Sequence, residues 1–127
     1  GVALLKGAGT LVSVPGKIPA LVPGANPGMG TGGMGDVLSG IVGGFMAQAV
    51  RASSIGLAEG VLLGASLHLE AAVVASQQKG YRGLLPMDVI EALPVVLAAV
   101  EPRFGEPATS GQNTGYESVH AGGHTDE

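Results

Sequence analysis

Residues 26–36 read Asn-Pro-Gly-Met-Gly-Thr-Gly-Gly-Met-Gly-Asp, with glycine at 28, 30, 32, 33 and 35 and one carboxylate, Asp36, at the end. How this stretch is parsed decides the fold. Directly after it, Val37, Leu38, Ile41, Val42, Phe45, Met46 and Ala49 recur at spacings of three and four, the period of one helix face. The spacing predicts a helix from about Asp36. Gly40, Gly43 and Gly44 each cost such a helix up to about 1 kcal/mol relative to Ala. The helix is therefore expected to be buried, with a closely approaching neighbour against its glycines.

Upstream the period changes. Val2 to Leu5 is an unbroken apolar run that stops at Lys6 and Gly7, which reads as a buried strand entering a turn. Leu11 to Val14 and Ile18 to Val22 flank Pro15-Gly16-Lys17, a turn sequence between hairpin strands. Downstream, Ser53 or Ser54 can cap a second helix carrying Leu57, Val61, Leu62, Ala65, Leu69, Ala72 and Val73, and Gly80 ends it. Pro86 suits the first turn of a short third helix through Val89, Ile90 and Leu93, which Pro94 is expected to interrupt. Strands followed by helices make this an α/β chain. Residues 101–127 are rich in Gly, Pro, Ser, Thr and Asn and read as a disordered polar tail.

The 127 residues correspond to about one domain, and with 46% hydrophobic but 3% aromatic residues the core must be aliphatic. A net charge of −4 with no basic run argues against binding the nucleic-acid backbone. The absence of cysteine removes disulfides, thiolate catalysis and cysteine zinc sites, and fits a reducing compartment, so a cytoplasmic location is expected. The apolar run Val37 to Val50 is shorter than the roughly twenty residues a bilayer span needs, and no membrane partner is expected. The N-terminus has no basic region ahead of its apolar run, so no signal peptide is visible. No metal ligands are assigned, since Ala-Gly-Gly between His120 and His124 opposes the helix that would bring those two together. His68 falls inside the second helix and reads as a surface or satisfied core histidine rather than a catalytic one.

Glycines let backbone amides point into one concavity, and the first turn of a helix leaves N–H groups unpaired. Thr31, Gly32, Gly33, Met34, Gly35 and Asp36 therefore form a candidate anion cradle with phosphate as its guest. Two generic glycine motifs fail on context. The dinucleotide fingerprint needs an apolar strand immediately before it, where this chain has Val22-Pro23-Gly24-Ala25-Asn26-Pro27, and a Walker loop needs Gly-Lys-Ser/Thr where this chain has Gly35-Asp36. A carboxylate beside a phosphate cradle makes chemical sense as a proton acceptor during phosphoryl transfer to an alcohol. The competing reading of Asp36 is a helix N-cap worth about 1 kcal/mol. Lys6 is equally two-sided, a solvated strand-end lysine or a group approaching a nucleotide.

Lys6-Gly7-Ala8-Gly9-Thr10 and the sixteen residues Asn26 to Ile41 together fit the KGxxT and NPGMxTGGxGDVLxGI patterns, and the chain resembles the ADP/ATP-dependent NAD(P)H-hydrate dehydratases of the ribokinase-like superfamily. Gly83-Leu84 through Asp88 to Ala92-Leu93-Pro94 is similar to the family's closing helix. The resemblance covers residues 1–100. It departs at Gly30, where alanine is common, at Gly24-Ala25, where Thr-Gly is usual, and near Gly64-Ala65, where the family has a His-Gly pair. It implies a ribokinase-like three-layer αβα sandwich, of which this chain corresponds to the C-terminal half, with an exposed sheet edge. It further implies dehydration of hydrated NADH or NADPH with ADP or ATP, Mg2+ accompanying the phosphates, and a homo-oligomeric full-length protein. Lys6, Gly7, Ala8, Gly9, Thr10 and Gly35 would contact the nucleotide. Asp36 and Asn26 would meet the substrate, with Asp36 at its hydroxyl. The alternatives are a ribokinase-like sugar or vitamin kinase using the same Asp36, and a non-catalytic nucleotide-binding fragment.

Overall fold

The computed structural model describes residues 1–52 and 55–104, with side chains through residue 101. The chain forms strands β1 (Ala3–Leu5), β2 (Thr10–Ser13) and β3 (Ala20–Val22), then a 3-10 turn (Pro27–Gly30) and helices α1 (Met34–Ala52), α2 (Leu57–Lys79) and α3 (Pro86–Phe104). The strands pair antiparallel in the order β1-β2-β3. The expected hairpin is present: Lys17 N–H donates to the Val14 carbonyl at 3.1 Å, and Gly16 at φ 76° takes the left-handed position that follows proline in such a turn.

The register explains the two faces of the sheet. Leu5, Leu11 and Leu21 stand directly opposite one another across the three strands, and all three are exposed, Leu5 at 68%. On the alternate positions Val12 is buried, and Val22 and Leu4 pack with Leu38, Ala65 and Leu69 of the helices. The expectation of a buried first strand therefore fails: helices cover only one face of the sheet among the described residues, and β1 pairs with β2 alone. This sheet-and-helix arrangement is α/β and consistent with part of a ribokinase-like domain.

Helix α2 is the axis of the molecule. α1, α3, β2, β3 and the 3-10 turn all pack on it, and its Ala71 and Ala72 are fully buried. By length and composition α2 is apolar enough to cross a membrane; here its buried residues face the other elements. The serines expected to cap it lie outside the described residues. The residue at its N-cap is Gly56, which makes no side-chain cap, and Gly80 ends the helix as expected, at φ 73° with its N–H on the Ser76 carbonyl.

The close helix approach comes from a different set of glycines than expected. A Cβ at Gly64 would lie 3.0 Å from Val42 Cα, and one at Gly60 would lie 3.3 Å from the Phe45 carbonyl oxygen, so α2 supplies the bare backbone where α1 crosses it. A Cβ at Gly40, Gly43 or Gly44 would meet nothing within 4 Å. Helix α1 is accordingly only partly buried, with Met34, Leu38 and Ala49 inside, and Gly40 and Gly44 border an apolar groove of about 840 Å3 that runs toward Leu97 and Val100 of α3. Replacing Gly43 and Gly44 by Ala is therefore expected to stabilise the protein by up to about 1 kcal/mol each, read as a higher urea midpoint at unchanged slope. A lower midpoint would mean that another part of the protein closes on that face.

Helix α3 also departs from expectation. It runs through Pro94 to Phe104, so Glu101 to Phe104 belong to it rather than to a tail. Pro94 is exposed, as is Ile90, whose carbonyl loses its helical partner on the solvent side, while Val89, Ala92 and Val96 stay buried against α2. The helix start is locked by Asp88, whose Oδ2 accepts from Leu85 N–H at 2.8 Å in the manner of a capping box. Residues 105–127, with His120 and His124, lie outside the described residues.

Candidate functional site

The loop 23–33 is anchored on α2 by the side chain of Asn26. Asn26 is buried; its Oδ1 accepts from Gly28 N–H at 3.0 Å, and its Nδ2 donates to the Ala72 carbonyl at 3.0 Å and to Ser76 Oγ at 3.1 Å. Both amide hydrogens are thus engaged with α2, and the residue expected at the substrate fixes the loop. Gly28 fits because a Cβ there would lie 2.8 Å from Leu84 Cδ2 and 2.9 Å from the Tyr81 carbonyl oxygen. Thr31 Oγ1 donates to the Gly28 and Leu84 carbonyls at 3.1 and 3.2 Å, tying the far end of the turn to the entry of α3.

Helix α1 then begins two residues earlier than its apolar period implied. Gly33, at φ 91°, turns the chain, and its carbonyl accepts the N–H groups of both Asp36 and Val37 at 3.1 Å. Met34 becomes the first helical residue, 1% exposed, its N–H on the Thr31 carbonyl at 3.4 Å. Asp36 therefore stands in the first turn rather than at the cap, exposed, with no hydrogen bond or ion pair from its side chain among the described residues. The N–H groups of Gly32, Gly33 and Gly35 have no backbone acceptor among the described residues, and the space a Cβ of Gly32 or Gly35 would enter is open. Of the expected cradle, then, the glycine amides are available and the Met34 amide is weakly engaged.

A cavity of about 190 Å3 lies beside this loop, lined by Lys6, Gly7, Ala8 and Thr10 from the β1–β2 connection, by Asn26, Met29 and Gly30 from the glycine loop, and by His68 of α2. The structure thus brings the KGAGT segment and the start of the glycine loop to one place, although they are well separated in sequence. Gly9 does not line it, being packed on Leu21, and neither do Thr31 to Asp36, which follow directly from Gly30. The only charged group of the lining is Lys6, and none of the lining residues is a carboxylate. The volume and the lysine fit part of a nucleotide with a phosphate, and the unengaged amides of Gly32, Gly33 and Gly35 follow along the chain outside this lining. They offer no protein ligand set for Mg2+, which prefers carboxylates and phosphate oxygens.

His68 is a core histidine, as one of the two expectations had it, but not a satisfied one. The ring is 2% exposed, and Nε2 has no hydrogen-bond partner among the described residues. Burial first, and then the Lys6 ammonium, push the imidazole down to about 4, against the opposing effect of its bond to the Met34 backbone. The ring is therefore neutral at pH 7. A buried polar atom without a partner costs roughly 1–3 kcal/mol. The unfolded chain takes up this proton near the ordinary value of 6.5 and the folded chain only near 4, so the stability from His68 is present above 6.5 and is lost as pH falls to 4. About 2–3 kcal/mol is expected to disappear over that window. Urea unfolding at several pH values should show His68→Gln losing less stability than the parent between about pH 7 and pH 4.5; parallel losses would refute a neutral buried ring.

Comparison with known proteins gives the same direction as the motifs. The family model described as NAD(P)H-hydrate dehydratase matches residues 1–95. The bifunctional NAD(P)H-hydrate repair enzyme Nnr of Coxiella burnetii is 43% identical over 97 residues, covering 76% of this chain and 19% of that protein. Its counterpart in Vibrio cholerae is 47% identical over 93 residues, 73% of this chain and 18% of that one. That of Escherichia coli is 40% identical over 93 residues, 73% and 17%. The chain spans less than a fifth of the length of these relatives. No solved structure gives a significant match. With the family model covering residues 1–95 of 127, the chain belongs to the NAD(P)H-hydrate dehydratase family.

Proposed function

We propose that this chain carries the nucleotide side of a site that dehydrates hydrated NADH or NADPH using ADP or ATP. The observation that supports this reading best is continuity: Gly30 lines the Lys6 cavity, Thr31 to Gly35 follow with unengaged glycine amides, and the free carboxylate of Asp36 comes next. The nucleotide supplies the phosphoryl group that turns the substrate hydroxyl into a leaving group. Asp36 accepts the hydroxyl proton as that oxygen bonds to phosphorus. The amides of Gly32, Gly33 and Gly35, at the positive end of α1, hold the phosphoryl oxygens while charge spreads over them. Lys6 holds the remaining phosphate. The C–O bond then breaks with its electron pair leaving on phosphate, and the adjacent ring carbon gives up a proton to solvent, the C–H electron pair becoming the restored double bond of the nicotinamide ring. The lining offers Mg2+ no carboxylate, so the ion would be carried by phosphate oxygens and water, and no step is assigned to it.

The test is to incubate the protein with hydrated NADPH and either ADP or ATP. Recovery of the NADPH absorbance only when nucleotide is present is the expected result. Transfer of phosphate to a sugar or vitamin without that recovery would replace this reading with a small-molecule kinase acting through the same carboxylate. Absence of any thermal stabilisation by ADP or ATP would leave a non-catalytic fragment.

A further inference from the structure

The glycine loop rests on the corner between α2 and α3 at three points. Leu84, fully buried, packs against Gly28, where a Cβ would lie 2.8 Å from its Cδ2. The Leu84 carbonyl accepts from Thr31 Oγ1 at 3.2 Å. Pro86 packs against Gly33, where a Cβ would lie 3.0 Å from its Cγ. The corner is itself fixed: Pro86 is the first residue of α3, Asp88 Oδ2 accepts from Leu85 N–H at 2.8 Å, and Lys79 Nζ stands 3.7 Å from Asp88 Oδ1. Thr31 carries the one functional side chain in the run Thr31-Gly32-Gly33. A hydroxyl has a single hydrogen. With the Leu84 carbonyl at 3.2 Å and the Gly28 carbonyl at 3.1 Å, that hydrogen is engaged within the protein and is not left to hold an anion.

We infer that Thr31 is a positioning residue for the phosphoryl-transfer step: its hydroxyl, hooked on the Leu84 carbonyl, fixes the direction in which the Gly32 and Gly33 N–H groups point. The inference rests on the proposed function above and makes Thr31 an anchor of the cradle instead of a donor within it. Glycine has no side chain to restrict its own backbone, so the aim of these two amides is set by what flanks them. On the C-terminal side, Met34 is 1% exposed at the start of α1, and Pro86 backs Gly33 at its φ of 91°. On the N-terminal side the anchor is the Thr31 hydroxyl, which reaches 53 residues along the chain to Leu84. Donors stabilise developing charge best when they are already aimed and need not reorganise. Binding and chemistry then separate, because the Lys6 cavity is lined by Asn26, Met29 and Gly30 but not by Thr31 to Asp36. Loss of the hydroxyl falls on turnover and spares nucleotide affinity.

The experiment compares the parent with Thr31→Val, which keeps the branched shape and removes the hydroxyl, and with Thr31→Ser, which keeps the hydroxyl and removes the methyl. Steady-state rates with hydrated NADPH and ADP are paired with calorimetric ADP titration of the same three proteins, at a temperature where each is folded. Thr31→Val is expected to lower kcat roughly 10- to 100-fold, the range for misaimed donors, while ADP affinity stays within about threefold of the parent. Thr31→Ser should recover most of that loss. Equal kcat in parent and Thr31→Val overturns the inference, as it would leave Thr31 a residue of the fold alone. A Thr31→Val protein that loses ADP affinity as much as kcat also overturns it, by placing the hydroxyl on the nucleotide. Nitrogen-15 relaxation of the Gly32 and Gly33 amides supplies a readout independent of turnover. Order parameters near the rigid value of about 0.85 are expected in the parent without ligand, falling in Thr31→Val and returning in Thr31→Ser. Parent values below about 0.6, which need no variant to measure, overturn the inference, and so do values that Thr31→Val leaves unchanged. A parent with no nucleotide-dependent recovery of NADPH overturns the proposed function, and this inference with it; an active parent whose kcat and glycine order parameters are indifferent to Thr31→Val overturns this inference alone.

Discussion

Asp36→Asn is expected to reduce turnover by about 10²- to 10⁴-fold while leaving ADP affinity within roughly threefold of the parent. The two side chains have the same shape, but the amide cannot accept the hydroxyl proton. The fold should hardly notice. Asp36 is exposed in the first turn of α1, and its side chain makes no hydrogen bond or ion pair among the described residues, so the loss is limited to its interaction with the helix dipole, about 0.3–1 kcal/mol. Steady-state rates with hydrated NADPH, paired with ADP titration of the same two proteins, check this directly. Turnover retained in the variant would remove Asp36 from the chemistry and return it to a helix-start residue.

The second large effect concerns stability. Asn26→Leu keeps a side chain of similar length but deletes all three bonds of a residue that is 8% exposed, leaving the buried Gly28 N–H without its acceptor. These bonds join the glycine loop to α2 at Ala72 and Ser76, far along the chain. A loss of roughly 2–4 kcal/mol is expected, visible as a lower urea midpoint. Ser76→Ala should cost well under half of that, because Ser76 Oγ is only one of Asn26's partners and sits near the helix surface, donating to the Val73 carbonyl. Equal effects of the two substitutions, or an Asn26→Leu protein of parental stability, would show that the loop is held by its glycines and not by this amide.

The central stretch was legible because its signals are local. Pro15-Gly16 specified the turn that forms, Gly80 ended α2, and the apolar period placed α1 within two residues of its start. The errors arose where the outcome depends on which faces meet. Glycines at 40, 43 and 44 and at 60 and 64 look alike in sequence, yet only the second pair faces a neighbouring backbone. Pro94 is tolerated since the rest of α3 is anchored on α2 and the broken bond faces solvent, a circumstance no local rule contains. Val2 to Leu5 is apolar without being buried because the leucine row it joins faces away from the helices. His68 did carry a signal: with Val61, Ala65 and Ala72 it continues the three-and-four spacing of α2's buried face. Burial could have been inferred from that spacing. The unpaired Nε2 could not, since it depends on which segments distant in sequence pack around the ring.

Phosphoryl transfer to the substrate hydroxyl, with Asp36 as proton acceptor, is the step proposed to drive the loss of water. It is tested most directly by measuring inorganic phosphate and NADPH in the same reaction of the protein with hydrated NADPH and ADP. One phosphate per NADPH formed, with both products falling together in Asp36→Asn, is the expected result. NADPH formed without phosphate, or phosphate released with no NADPH, would contradict it.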